Sequence, residues 1–136
     1  MSVIVDTAIW SLVLRRNANN QSLSIKEQIQ ELIRTNQVRM LGAIRQEILS
    51  GLRTTEQFNR LRDALRAFPD TVLLTQDYEL AAEYFNICRQ NGIQGSNTDF
   101  LICAVANRLH DQILTTDRDF QNFRHHIPVN LLKFNY

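Results

Sequence analysis

The chain has little of what usually breaks up or cross-links a protein. Four Gly and two Pro in 136 residues enforce few turns, so most connections fall to ordinary polar residues. Two cysteines, Cys88 and Cys103, are too few for a disulfide framework. Both lie in apolar helical patterns, where a reduced thiol behaves as a small hydrophobe. No apolar run approaches the roughly 20 residues of a membrane helix, and no basic segment leads into an apolar one as in an export signal. A cytoplasmic protein without membrane contact is the expectation. Excess charge is missing too: 15 basic residues face 14 acidic ones, and a net +1 names no polyanionic partner.

What is present is a globular composition, 44% hydrophobic and 21% charged. A chain of this length buries about two-thirds of its unfolded surface without staples, so one domain spanning 1–136 is expected. Thirteen of the 15 basic residues are Arg. Arg grips phosphate with two parallel hydrogen bonds and stacks on bases, which Lys does not. If four of the 14 acids were committed to a metal, the remaining surface would carry +5.

Val3-Ile4-Val5 is a run of β-branched residues that reads as a strand buried on both faces, and it ends in Asp6-Thr7. Ile9, Trp10, Leu12 and Val13 then fit one face of a short helix ending at Arg15-Arg16. After a polar loop from Asn17 to Gln21, Ser22 or Ser24 can cap a second helix carrying Ile25, Ile29, Leu32 and Ile33. Asn36-Gln37 ends it. Val38 to Leu41 reads as a second strand and Gly42 as its turn. A third helix is expected over Ala43–Leu52, and a fourth from Thr54-Thr55, where Thr54 and Gln57 resemble a capping box. Val72–Leu74 reads as a third strand, followed by a helix opening at Asp77 and stopping at Asn91-Gly92. A largely buried helix starts near Asn97. Ile113–Thr115 is a fourth strand, Asp117 opens a short helix with Phe120 and Phe123, and Val129–Leu132 is a last strand. Strands alternating with helices imply parallel βαβ units and a three-layer α/β/α sandwich with a short parallel sheet.

Three acids occupy equivalent places in this pattern. Asp6 and Asp117 follow strands, and Asp99 opens the most apolar helix. In open α/β sheets the functional crevice lies beyond the carboxyl ends of the strands. Each Asp is also a good helix cap, and Ser96 with Asp99 matches the S-x-x-D capping pattern, so capping stands as the alternative for each alone. Glu47 lies inside a helix between Ile44 and Ile48, at the margin of the apolar stripe and one turn before Gly51. That position suits a cleft edge, with a solvated helix face, the usual place of Glu, as the alternative.

These residues together resemble a known family. Val5-Asp6-Thr7, the helical Glu47 before Gly51, Asp99-Phe-Leu-Ile-Cys-Ala and Leu114-Thr-Thr-Asp-Arg-Asp-Phe look like a PIN-domain ribonuclease, in particular the toxin of VapBC-type toxin–antitoxin pairs. The resemblance runs from Val3 to about Leu131 in order, and it rests on the ordered set rather than on any one motif. It implies strand order 3-2-1-4-5, with Asp6 and Asp117 flanking the point where the winding reverses. It implies a metal site on Asp6, Glu47, Asp99 and Asp117, with Asp119, Thr7, Thr116 and Ser96 in support. It also implies hydrolysis of RNA to a 5′-phosphate and a 3′-hydroxyl, a small antitoxin partner that blocks the acidic site, and a homodimer. Cys103 replaces the small Ala usual at that helix position, and Gly95–Thr98 is more polar than the family pattern.

Electrostatics says what such a cluster needs. Two carboxylates about 4 Å apart repel by roughly 1 kcal/mol in water and about 4 kcal/mol at an effective dielectric of 20. Protons or cations must intervene, and all-oxygen ligands select Mg²⁺ or Mn²⁺ over zinc. His110 and His125-His126 show no metal-ligand spacing with cysteine. No Gly-x-Ser-x-Gly elbow and no Gly-rich phosphate loop is present. Arg15, Arg16, Arg45, Arg53 and Arg118 are candidate contacts to an RNA backbone, with a solvated surface position as the alternative for any one of them. Apolar residues beyond those the core needs, among Ile9, Trp10, Leu12, Val13, Ile48, Leu52 and Phe58, would form a groove for the antitoxin. Two other readings stay open: a catalytically silent interaction module whose acids are caps, and a DNA-directed nuclease or phosphatase.

Overall fold

Val3, Ile4 and Val5 are all buried, and neighbours on a strand point to opposite faces, so both faces of this segment are covered. The computed structural model describes residues 1–14 and 20–134. In it β1 (Val3–Val5) is the centre of a parallel sheet of order β2-β1-β3, with β2 at Val38–Arg39 and β3 at Gln112–Leu114. Val3 lies opposite Val38 on one side and Gln112 on the other, and Val5 lies opposite Leu114. The described helices are α1 (Thr7–Val13), α2 (Asn20–Arg34), α3 (Gly42–Leu49), α4 (Thr55–Leu65), α5 (Thr75–Gln90), α6 (Asn97–Leu109) and α7 (Asp119–Phe123). They sandwich the sheet in the α/β/α arrangement. No helix among the described residues is long and apolar enough to cross a membrane.

The outer two strands are not formed as such. Val72–Leu74 is not a strand: Val72 is 79% exposed, and only Leu73 of the three packs against the core. Its backbone is engaged elsewhere, since the Val72 carbonyl accepts from Arg108 Nη2 at 3.3 Å and the Leu74 N–H donates to Asp77 Oδ2 at 2.8 Å. Pairing on that side shrinks to one bridge, Met40 with Asp70. Val129–Leu132 likewise reduces to a bridge between Ile113 and Leu131. The order 3-2-1-4-5 survives in position, with its two edges cut to single contacts. A short edge offers little to a stray strand.

Element ends shift for identifiable reasons. Gly42 is the first residue of α3 rather than a turn. That helix stops at Leu49 because Ser50 is extended and Gly51 takes φ 82°. The fifth helix opens at Thr75, with the Asp77 carboxylate reaching back to close its first turn. The last begins at Asp119, because Asp117 Oδ1 accepts the Asp119 N–H at 2.9 Å and caps it from outside. α2 begins at Asn20, ahead of both serines considered as its cap.

Two packing features set the approach to the sheet's carboxyl end. Phe100, Phe120 and Phe123 form a buried ring cluster, with Phe100 and Phe123 centroids 4.7 Å apart. Gly95 lies against it so closely that a Cβ there would come within 2.6 Å of the Phe123 ring. On the other side the buried Trp10 donates its indole N–H to the Val5 carbonyl at 3.1 Å and packs edge-on against Phe68. Both cysteines are buried free thiols, and burial pushes each above its ordinary pKa.

Candidate metal centre

The ladder between β1 and β3 continues one step past the strands, where the Asp6 N–H donates to the Leu114 carbonyl at 3.0 Å. Asp6 is the N-cap of α1 and is only 5% exposed. Its Oδ1 accepts the Thr7 N–H at 2.8 Å, and its Oδ2 accepts the Thr115 hydroxyl at 2.7 Å. Asp99 arrives from the start of α6 in a reciprocal capping box. The Ser96 N–H donates to Asp99 Oδ2 and the Asp99 N–H to Ser96 Oγ, both at 3.1 Å. Glu47 comes from the exposed side of α3, and the Thr7 hydroxyl donates to its Oε2 at 2.7 Å.

Asp99, Asp117 and Asp119 each present a carboxylate oxygen within 4.8 Å of the others. Asp119, two residues beyond Asp117, is thus close to the other two acids. Asp6 and Glu47 join through charge. Burial pushes Asp6 above its ordinary pKa; the hydrogen bonds from Thr115 and Thr7 oppose this, and the charges of Asp99 and Asp117 add to it. Burial likewise raises Asp99 against its Ser96 hydrogen bonds, with the charges of Asp117 and Glu47 adding. Among the described residues, the ion pairs formed go to Glu31, Asp63, Asp70, Asp77 and Asp111, and none reaches these five acids. The donor set is all carboxylate, and no basic side chain among the described residues pairs with it. It fits a hard divalent cation.

The remaining candidates separate by their surroundings. The hydroxyl that reaches Asp6 belongs to Thr115, whereas Thr116 is exposed. The register contains the signal: Val5 faces Leu114, so the next pair across the ladder is Asp6 and Thr115. Arg45 is engaged: its Nε donates to Asp70 Oδ1 at 2.9 Å and its Nη1 to the Leu65 carbonyl at 3.0 Å, with Nη2 on the Phe68 carbonyl. It braces the end of α4 and is not spare for a ligand. Arg53 and Arg118 are exposed. Arg15 and Arg16 lie outside the described residues. His110 ends α6 with φ 57°, and His125 and His126 are exposed. Of the large apolar residues after the first two strands, Ile9, Trp10 and Ile48 are core. Ile48 also joins Leu14, Leu52 and Leu61 in lining a cleft of about 580 Å³ between α1 and the α3–α4 pair.

Several solved structures share this fold. FitAcB from Neisseria gonorrhoeae matches with a TM-score of 0.77 at 18% identity, over 96% of each chain. VapBC2 from Rickettsia felis, bound to a DNA fragment from their promoter, matches at 0.77 and 18% over 98% of each. VapBC-1 from nontypeable Haemophilus influenzae matches at 0.75 and 17% over the whole of both chains. No curated protein sequence matches significantly. The family model described as PIN domain matches residues 3–125, from β1 through the end of α7 and so across all five acids. The chain belongs to the PIN-domain family, a family of nucleases.

Proposed function

We propose that this protein is a metal-dependent endoribonuclease and the toxin of a toxin–antitoxin pair. The observation that carries the reading is the group of Asp99, Asp117 and Asp119, with Asp6 and Glu47 coupled to it by charge, and with no basic side chain paired to these five among the described residues. Asp6, Glu47, Asp99 and Asp117 would hold Mg²⁺ or Mn²⁺, with Asp119 beside them. A bound cation of this kind lowers the pKa of an attacking water and offsets charge developing on a phosphodiester. The chain's own part is to fix the carboxylates: Thr7 holds Glu47, Ser96 holds Asp99, and Thr115 holds Asp6. Exposed Arg53 and Arg118, with Arg15 and Arg16, are the cations proposed to contact the RNA backbone. Each phosphate contact to a single strand should steepen the fall of log affinity with log salt by about 0.7. The products carry a 5′-phosphate and a 3′-hydroxyl.

The cleft between α1 and α3–α4 is lined by Leu14, Ile48, Leu52 and Leu61 together with polar residues that include Glu56 and Arg60. It suits an apolar segment of an antitoxin. A Lys or Arg from that partner would neutralise the acids as a metal does. FitAcB, VapBC2 and VapBC-1 carry toxin–antitoxin names, and the promoter DNA belongs to the VapBC2 complex. A homodimer in the cytoplasm completes the reading.

Asp6→Asn and Asp99→Asn variants test the assignment. Both should lose RNA cleavage in Mg²⁺ or Mn²⁺, and cleavage at the wild-type rate would sink it. A parallel assay on DNA separates an RNA-directed from a DNA-directed enzyme. One observation favours a second reading: Asp6 and Asp99 do cap α1 and α6, as in a silent interaction module. Such a module would bind no Mn²⁺ in a manner lost on Asp99→Asn.

A further inference from the structure

We infer that Thr115 is a positioning residue for the acidic site, one hydroxyl that ties the Asp6 carboxylate after β1 to the backbone of Asp117 after β3; this rests on the metal-site reading above. Thr115 Oγ1 accepts the Asp117 N–H at 2.9 Å and donates to Asp6 Oδ2 at 2.7 Å. The direction of both bonds is fixed by chemistry. An amide N–H can only donate, so the hydroxyl accepts from it, and its single proton goes to the carboxylate. Asp117 Oδ1 in turn accepts the Asp119 N–H at 2.9 Å. Asp6, Thr115, Asp117 and Asp119 therefore form one continuous run of hydrogen bonds across 109 residues of sequence separation between Asp6 and Thr115.

Geometry makes Thr the apt residue there. Its branched Cβ restricts χ1, so the hydroxyl is aimed before any ligand arrives. The bond from the Asp117 N–H to the Thr115 side chain also closes a local turn, which brings Asp117 back over the sheet end toward Asp99. Asp6 is tied from two sides, by Thr7 and by Thr115, so its carboxylate cannot rotate freely. Valine at 115 would keep the shape and remove both bonds. Serine would keep both bonds and lose only the methyl.

The test uses the full-length protein with Thr115→Val and Thr115→Ser, without RNA. In amide NMR spectra of metal-free protein, the Asp117 proton should move upfield in Thr115→Val and stay in place in Thr115→Ser. In calorimetric titration with Mn²⁺ alone, Thr115→Val should bind about 10- to 100-fold more weakly and Thr115→Ser within about threefold of wild type. Denaturation midpoints of the two variants should agree. Wild-type affinity in Thr115→Val overturns this inference alone. Equal weakening in both variants also overturns it, because the methyl and not the hydroxyl would then be at work. Wild-type protein that takes up no Mn²⁺ overturns the metal-site reading and this inference with it.

Discussion

Asp77, Asp111 and Asp6 are 1%, 3% and 5% exposed, yet they keep opposite company. Asp77 receives two bonds from one guanidinium, Arg108 Nε at 2.6 Å and Nη2 at 2.9 Å. Asp111 pairs with Arg39 and takes the Ser2 N–H at 3.3 Å. Asp6 has a hydroxyl and an amide, and its charged neighbours are Asp99 and Asp117. The Arg108 guanidinium holds Asp77 below the usual carboxylate range, while burial pushes Asp6 above it. The fold can deliver an Arg to a buried acid and does so twice. At the sheet's carboxyl end, no basic side chain among the described residues takes that role.

Substitutions can break this comparison. The largest expected effect is in Asp6→Asn, which should cut RNA cleavage about a thousandfold, equivalent to roughly 4 kcal/mol of barrier. Its urea midpoint should stay level or rise, because a repelling charge is removed. The reverse profile is expected at the opposite site. Arg39→Met strands Asp111 and should cost about 3 kcal/mol in urea unfolding while leaving Mn²⁺ affinity intact. If Asp6→Asn instead destabilised as Arg39→Met does, the contrast between supplied and withheld cations would fail. Gly95→Ala lies between them. Its Cβ meets Phe123 at 2.6 Å, so about 2 kcal/mol should be lost, together with some Mn²⁺ affinity as the loop before Ser96 and Asp99 shifts.

The smallest effect is on pH dependence, measured as the urea midpoint of metal-free protein. Folded Asp6 and Asp99 have pKa values above 3.8, so the stability they contribute is present below pH 3.8 and lost as pH rises through the raised values. Asp77 has the opposite sign: its contribution is present above 3.8 and lost as pH falls through its depressed value. Mn²⁺ at a hundred times its dissociation constant should restore about 2.7 kcal/mol at neutral pH in wild type and not in Asp99→Asn.

Much of the site is legible in the sequence because local rules and global fold agree there. Val3–Val5 reads as a buried strand from its branching alone, and Ser96-x-x-Asp99 reads as the capping box that forms. What escapes the sequence depends on tertiary choices. Thr115 and Thr116 are identical in a linear reading, and only the register beside β1 decides which hydroxyl meets Asp6. Val72–Leu74 has the composition of a strand, but the side chains of Arg108 and Asp77 take its backbone groups instead. Arg45 looks like a surface cation until α4 brings its last carbonyls within reach.

The register of β1 also sets when the site can exist. Its partners lie at Val38 on one side and at Gln112 on the other, so half of the ladder is closed by the last quarter of the chain. During synthesis Asp6 emerges first, but the hydroxyl that holds it comes 109 residues later. Long-range parallel pairing of this kind forms late, after its loop-closure entropy is met. In a nascent chain Asp6 therefore lacks its Thr115 partner until β3 docks. Any premature stop before Gln112 would leave β1 with one bare edge and no assembled centre.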